Sequence, residues 1–257
     1  MILSRRKLIM NIYSEENEQV KKPYFSTIEF DKFIHSKIKK SKTILDAGSG
    51  QGGTLFYYVN KYRKIQFTGM DYREQNIQIS KKLFKKNLLT NCNFIKFDLL
   101  KKNRKKIEKI DGIICQKTFC TFKNIETPIT NLIKLNPDWI AINSLFWKGE
   151  MDVLIHIRDR KESLSGDKTI IPGADGDPDG DFNIHSVNNL ERHLSKKNYK
   201  ISKIKKFFPS KKIKTDDKNY RGTYTMETSI NKNTMFSGPV FLPWYFILIE
   251  KNSNFKN

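Results

Sequence analysis

Between residues 26 and 40, STIEFDKFIHSKIKK, the apolar positions Ile28, Phe30, Phe33, Ile34 and Ile38 recur at helical spacing. That spacing predicts a helix, with Ser26 or Thr27 as its cap and Glu29 in its first turn. Residues 43–46 are a short apolar run closed by Asp46, and they predict a strand. Residues 53–63 return to a helical pattern. Residues 65–70 predict a second strand, ending at Asp71, and residues 73–87 a helix with Ile77, Leu83 and Phe84 on its apolar side. Residues 93–97 predict a third strand ending at Asp98, residues 111–115 a fourth, residues 125–135 a helix and residues 139–143 a fifth strand. Strand and helix alternate with short connections, the pattern of a parallel sheet covered on both faces.

Beyond the fifth strand the pattern loosens. Residues 187–197 predict a helix and the residues up to 208 a sixth strand. RGTYTMETSINKNTMFSG, 221–238, alternates like a hairpin turning near residues 231–233. PVFLPWYFILIEK, 239–251, predicts the last strand.

With 257 residues, 38% hydrophobic and 12% aromatic, the chain can bury one sizeable core. It contains no run of 18 apolar residues, so no membrane-spanning helix is predicted. The first residues, MILSRRKLIMNIYSEENEQ, hold an apolar patch too short for a signal peptide. Cys92, Cys115 and Cys120 show no CxxC spacing and read as reduced thiols, so a cytoplasmic location is expected. The net charge of +21 is spread along the chain, in KKSK (39–42), KKLFKK (81–86), KKNRKK (101–106) and KISKIKK (200–206). It permits three readings: solvated lysine faces, a nucleic acid partner, or a surface that attracts a phosphorylated or nucleotide-linked small molecule. The first is favoured over nucleic acid because no aromatic RNA-binding signature accompanies the charge. Oligomeric state is not legible.

The chemistry concentrates after the first strand. Asp46-Ala47-Gly48-Ser49-Gly50-Gln51-Gly52 spells D-x-G-x-G-x-G, and glycines there let a ligand approach the backbone closely. Asp71 and Asp98 follow the next two strands in register. Together these features resemble the class I S-adenosylmethionine-dependent methyltransferases over residues 43–145. The resemblance implies a doubly wound, Rossmann-like α/β fold: seven mostly parallel strands, helices on both faces, an antiparallel last strand that closes the sheet, and a small hairpin or loop cap. It implies S-adenosyl-L-methionine as cofactor and S-adenosyl-L-homocysteine as product. Asp46 would face the methionine end, Asp71 the ribose hydroxyls and Asp98 the adenine amino group, with Gly48, Ser49, Gly50, Gly52, Tyr72 and Gln116 completing the cofactor site. A cationic sulfonium tolerates these acids, whereas a pyrophosphate would be repelled by them.

The FNIHS stretch (182–186), GTYT (222–225) and FSGPVFLPWYFILIEK (236–251) are similar to methyltransferases of bacterial capsule and surface-glycan genes. That likeness implies methylation of a hydroxyl on a sugar, nucleotide sugar or related group. Such a hydroxyl benefits from a general base, for which His156 and His185 are the candidates, with Glu150, Asp152 and Lys117 behind them. Lys117, Asn143, Trp147 and Tyr224 are expected at the acceptor, with Asn143, Ser144 and Trp147 at or past the end of strand five. After strand four the chain reads Cys-Gln-Lys-Thr-Phe, without the (N/D)PP(Y/F) motif of amino-directed branches. Asp175, Asp177 and Asp179 begin like a calcium loop, but the twelfth position is Ser186; a solvated acidic loop or lid is favoured over a metal site. The expected organisation is an N-terminal segment and helix over residues 1–42 covering the cofactor, a catalytic domain over 43–251 with acceptor-side insertions at about 160–185 and 209–238, and a tail at 252–257.

Overall fold

The computed structural model describes residues 18–101, 109–157, 180–181, 183–209, 223–227, 229, 232–237 and 240–252. The chain divides into two compact units, one running to Ile114 and including Leu135–Asp138, the other comprising Cys115–Lys134 and the chain from Trp139 onward.

The first unit contains α1 (Glu18–Lys21), α2 (Phe25–Ile38), β1 (Thr43–Ala47), α3 (Gly53–Lys61), β2 (Gln66–Asp71), α4 (Glu74–Lys86), β3 (Cys92–Lys96) and the start of β4 (Gly112–Gln116). Its strands lie in the order β3-β2-β1-β4 and all are parallel. Ile44, Leu45, Phe67, Met70, Ile113 and Ile114 are buried, as expected for strands covered on both faces. α4 buries Ile77, Ser80 and Phe84, while Leu83 is only half-buried.

α2 begins earlier than its pattern predicts. Tyr24 is its cap and makes no side-chain capping bond; its carbonyl accepts from Thr27 N–H (2.9 Å) and Ile28 N–H (3.2 Å). Ser26 and Thr27 therefore lie inside the first turn and Glu29 beyond it. Tyr24 takes the extended backbone of a cap position, with φ −61° and ψ 146°, directly after Pro23. The buried face of α2 also carries Asp31, which accepts from the hydroxyls of Tyr57 (2.9 Å) and Tyr62 (2.5 Å) and from Lys61 Nζ. This paired, hydrogen-bonded carboxylate fastens α2 to α3, the helix that follows the glycines.

The described residues of the second unit form a 3-10 turn (Phe119–Thr121), α5 (Glu126–Ile133), β5 (Trp139–Trp147), β6 (His156–Ile157), β7 (Gly180–Asp181), β8 (His185–Ser186), α6 (Val187–Ser195), β9 (Tyr199–Lys206), β10 (Thr223–Glu227), β11 (Asn233–Ser237), β12 (Val240–Phe241) and β13 (Trp244–Lys251). β13 pairs antiparallel with both β5 and β9. The last strand is therefore antiparallel as expected, but it lies inside the sheet and leaves β9 at the edge. β10 and β11 form the expected hairpin, with Asn233 already paired to Glu227, so the turn precedes Asn233. β12 extends this hairpin into a three-stranded cap, which removes residues 240–241 from the predicted last strand.

β5 is longer than its pattern predicts. Asn143 and Ser144 look like a strand end, yet the ladder continues because Trp244 pairs Leu145 and His185 pairs Phe146. α6 ends at Ser195, two residues short of the expected 197, and Ser186 caps it by accepting from Asn189 N–H. The acidic segment with Asp175, Asp177 and Asp179, most of both expected insertions, residues 1–17 and residues 253–257 lie outside the described residues. No helix among the described residues is long and apolar enough to cross a membrane.

Candidate active site

In the first unit, Gly48, Gly50 and Gly52 all adopt left-handed backbone, with φ of 78°, 53° and 81°. The N–H groups of Gly48 and Ser49 both donate to Met70 O at 2.8 Å, folding the turn over the end of β2. Two of these glycines are needed for different reasons. A Cβ on Gly52 would meet Phe84 Cε2 at 3.0 Å and Ser80 Oγ at 3.1 Å, whereas a Cβ on Gly50 would have nothing within 4 Å. Gly50 thus presents bare backbone to open space.

Asp71 is buried and bound by three donors: Gly50 N–H (2.9 Å) on Oδ2, and Arg73 N–H (2.9 Å) and Asn76 Nδ2 (3.1 Å) on Oδ1. One lone pair remains to spare, on Oδ2, because Oδ1 already accepts twice. Asp46 is only 2% exposed, and its Oδ2 has no hydrogen-bond partner. Burial, and after it the charge of Asp71, push the Asp46 carboxyl up to about 7. Ser49 Oγ is likewise buried and unpaired. A buried carboxylate oxygen without a donor is costly, and a cationic ligand bearing N–H groups would satisfy it. Tyr72 is exposed, with the Arg73 guanidinium 5.1 Å from its ring centre. Asp98 stands two residues beyond β3, accepting from Leu100 N–H at 2.9 Å and pairing with Lys101 at 3.5 Å.

The second unit holds its own buried polar group. Gln116 ends β4, and Asn143 Nδ2 reaches its Oε1 at 3.5 Å. Lys117 follows in left-handed backbone, and its N–H donates to Asn143 O at 2.7 Å. Asn143 Oδ1, Ser144 Oγ and His185 Nδ1 are buried without partners. His185 is fully buried, with Nε2 at 3.0 Å from Phe119 O. A carbonyl only accepts, so Nε2 carries the proton and Nδ1 presents a lone pair. Burial pushes the His185 pKa down, partly opposed by the Phe119 bond, so the ring is neutral at pH 7. His185 is in register with Phe146, and Ser144 precedes Phe146 by two. Ser144 and His185 therefore share a sheet face, while Asn143 points to the other.

Other predicted residues have local duties. Trp147 ends β5, its indole N–H donating to Met151 O. Glu150 pairs with Arg192 (2.6 Å), and Asp152 accepts from Ser186 N–H (2.6 Å), so both brace α6. His185 directly precedes the α6 cap, in β8. His156 lies in β6 and Tyr224 in β10. His35 contacts Tyr62 Oη (2.9 Å) and His193 contacts Thr130 Oγ1 (2.8 Å). Sequence reasoning missed Asn76, Ser80 and Asn183. Asn183 donates to Phe122 O at 2.9 Å and accepts from Ile155 N–H at 3.3 Å, contacts remote in sequence that leave no local pattern. No group of three His, Cys, Asp or Glu side chains able to hold a metal ion occurs among the described residues.

S-adenosyl-L-methionine fits the first unit's turn. Its ammonium matches the unpaired Asp46 oxygen, its hydroxyls match Asp71, and it brings no phosphate to repel either acid. A family model described as a methyltransferase domain matches residues 38–234. An (S)-tetrahydroprotoberberine N-methyltransferase of Eschscholzia californica is 30% identical over 112 residues, which cover 44% of this chain and 30% of that enzyme. The match therefore spans less than a third of that relative's length. Among solved structures, the O-methyltransferase of a trans-AT polyketide synthase multienzyme of Brevibacillus brevis, in complex with S-adenosyl-L-homocysteine, superposes with a TM-score of 0.56 at 10% identity, covering 90% of this chain and 73% of that one. The N-terminal domain of EvdMO1, determined in the presence of S-adenosyl-L-homocysteine and D-fucose, superposes at 0.55 and 10% identity, covering 88% and 82%. These likenesses establish the Rossmann-like α/β methyltransferase fold.

Proposed function

Because this chain belongs to the methyltransferase-domain family, we propose that it transfers the methyl group of S-adenosyl-L-methionine to a hydroxyl of a small molecule, most specifically a sugar, nucleotide sugar or related surface-glycan precursor. The observation that carries the donor half is the unpaired Asp46 oxygen beside the bare Gly50 backbone. The hydroxyl half rests on His185, whose fixed tautomer leaves Nδ1 ready to accept a proton. The sugar reading draws support from the EvdMO1 domain studied with D-fucose.

The cofactor supplies a methyl group already activated as a sulfonium. The chain's share is binding, alignment and proton transfer. Asp46 and Ser49 hold the methionine end, Asp71 and Tyr72 the ribose, Asp98 the adenine, and Gln116 borders the cofactor. α1 and α2 cover this site, aided by the bond from Thr54 Oγ1 to Gln19 Oε1 at 2.9 Å. His185 Nδ1 receives the acceptor's proton, with His156 the second candidate. Lys117 and Trp147, after β4 and at the end of β5, are the further candidate contacts, while Asn143, on the sheet face opposite His185, holds the turn after β4 through its carbonyl.

An amine acceptor is the second reading, favoured by the N-methyltransferase relative. The deciding experiment is methyl transfer from labelled cofactor to nucleotide sugars, small amines and total RNA in parallel. Label on a sugar hydroxyl supports the proposal. Label on an amine or on RNA replaces it.

A further inference from the structure

The second unit holds a recess that has no part in the site described above. It lies where the end of β9 and the start of β13 meet the cap strands β11 and β12, and it encloses about 210 Å³, part of it open to solvent. That is less than the roughly 300–1,000 Å³ of a site for a whole drug-sized ligand, so it suits one group of a larger molecule. Leu242 N–H donates to Met235 O at 2.9 Å and Asn233 Nδ2 to Pro209 O at 3.3 Å, and these bonds hold its walls together.

Among the described residues, the polar side chains that line it are Lys206, Thr234 and Trp244. Lysine and tryptophan only donate hydrogen bonds, and a threonine hydroxyl can donate as well. The indole N–H of Trp244 is buried and has no acceptor, whereas that of Trp147 donates to Met151 O. A buried donor left unsatisfied calls for a partner. The charge beside the recess is positive. The Lys206 ammonium lies 5.2 Å from the ring centres of both Phe208 and Phe241, and that of Lys232 lies 4.8 Å from the ring centre of Phe208. Rings attract cations but carry no net charge, and no acidic side chain lines the recess among the described residues. Donors and positive charge together call for an oxyanion. Its position ties the recess to the acceptor. Lys206 pairs Tyr245 and Trp244 pairs Leu145 of β5, whose next residue, Phe146, pairs His185. The recess therefore lies at the carboxyl end of β5, the end that carries His185 and the end at which open α/β sheets bind ligands.

We propose that this recess is an oxyanion subsite, in which Lys206 and the Trp244 indole N–H bind a phosphoryl or carboxylate group carried by the methyl acceptor. This rests on the methyl-transfer reading and narrows its acceptors to anionic ones.

The test follows the three tryptophan indole N–H signals of the isotope-labelled full chain by NMR, with Trp244→Phe assigning the signal of Trp244. Calorimetry with S-adenosyl-L-homocysteine is run beside it. Failure of that binding counts against the methyl-transfer reading alone, because the recess shares no residue with the glycine turn. Inorganic phosphate and acetate are titrated at constant ionic strength against chloride. One of them should move the Trp244 signal in a saturable way, and which one does so names the group, while the Trp139 and Trp147 signals stay in place. Lys206→Gln should need roughly tenfold more of that anion for the same shift. Lys206→Arg should respond like the wild type, and so should Lys82→Gln, at an exposed lysine of α4. Lys232→Gln should need several-fold more anion, and it becomes the deciding variant if Lys206→Gln loses the Trp139 and Trp147 signals of the folded chain. The proposal is overturned if neither anion moves the Trp244 signal, if the deciding variant responds like the wild type, or if the small molecule that takes up the labelled methyl group carries neither a phosphoryl nor a carboxylate group.

Discussion

At Asp46, binding and stability pull against each other. The carboxyl is buried with one oxygen unpaired, and its pKa in the fold is about 7, against about 3.9 for an unfolded chain. The folded protein holds this proton more tightly, so the group's effect on stability worsens as pH rises from about 4 to about 7 and stays unfavourable above. Asp46→Asn removes the penalty. At pH near 8 the variant should be more stable, by up to roughly 4 kcal/mol, while calorimetry should find binding of S-adenosyl-L-homocysteine lost. A lower melting temperature with binding retained would contradict this account. In the wild type the ammonium of the ligand favours ionised Asp46, so affinity should weaken as pH falls below about 7. His185 should behave differently. His185→Ala should lower turnover by roughly 10²–10⁴-fold with the product's affinity unchanged. Because burial lowers its pKa, the acid limb of the wild-type rate profile should lie below about 6.5. Asp46, Asp71 and Asp98 could be singled out in the sequence because each falls at or just past the end of a predicted strand. The tautomer of His185 was not, because the Phe119 carbonyl that sets it lies 66 residues away.

At the scale of elements, the glycine turn separates two kinds of requirement. Alanine at Gly50 or Gly52 must adopt left-handed backbone, at about 1–2 kcal/mol each. Only at Gly52 would the new methyl also press on Phe84 and Ser80 of α4, adding on the order of 1–3 kcal/mol. Gly52→Ala should therefore melt well below Gly50→Ala. Gly50→Ala should fold yet bind the product poorly, because its methyl projects into the open face. Equal melting temperatures would show that α4 does not constrain the turn. The alternating strands and helices of the first unit were readable to within a few residues, since β1 and β4 bury continuous apolar runs and α4 buries apolar positions at helical spacing. β5 was not, because polar Asn143 and Ser144 sit mid-strand where β13 and β8 supply the pairing. The true cap of α2 was missed because Pro23 and Tyr24 start the helix without a capping side chain.

For the molecule as a whole, the net charge of +21 has to be explained by where the lysines stand. Lys81, Lys82, Lys85 and Lys86 are exposed on α4, and Ile77 and Phe84 form the helix's buried face. Lys200, Lys203 and Lys205 are exposed on β9, the edge strand of the second unit. Lysines on an edge strand oppose pairing with another chain, and lysines on an outer helix face are solvated. Lysine meets aromatic rings at the end of β9, where Lys206 Nζ lies 5.2 Å from the rings of Phe208 and Phe241. For these described lysines, solvation, edge protection and general attraction of anions suffice as duties. Two outcomes follow, and they separate this account from nucleic acid recognition. Generic RNA should bind weakly, with affinity falling steeply between roughly 50 and 200 mM salt, and should receive no methyl group. The double variant Lys203→Val, Lys205→Val should associate into larger species in light scattering while still binding S-adenosyl-L-homocysteine. If it stays monodisperse and loses RNA binding instead, β9 is a nucleic acid contact, and the charge discounted from the sequence was informative after all.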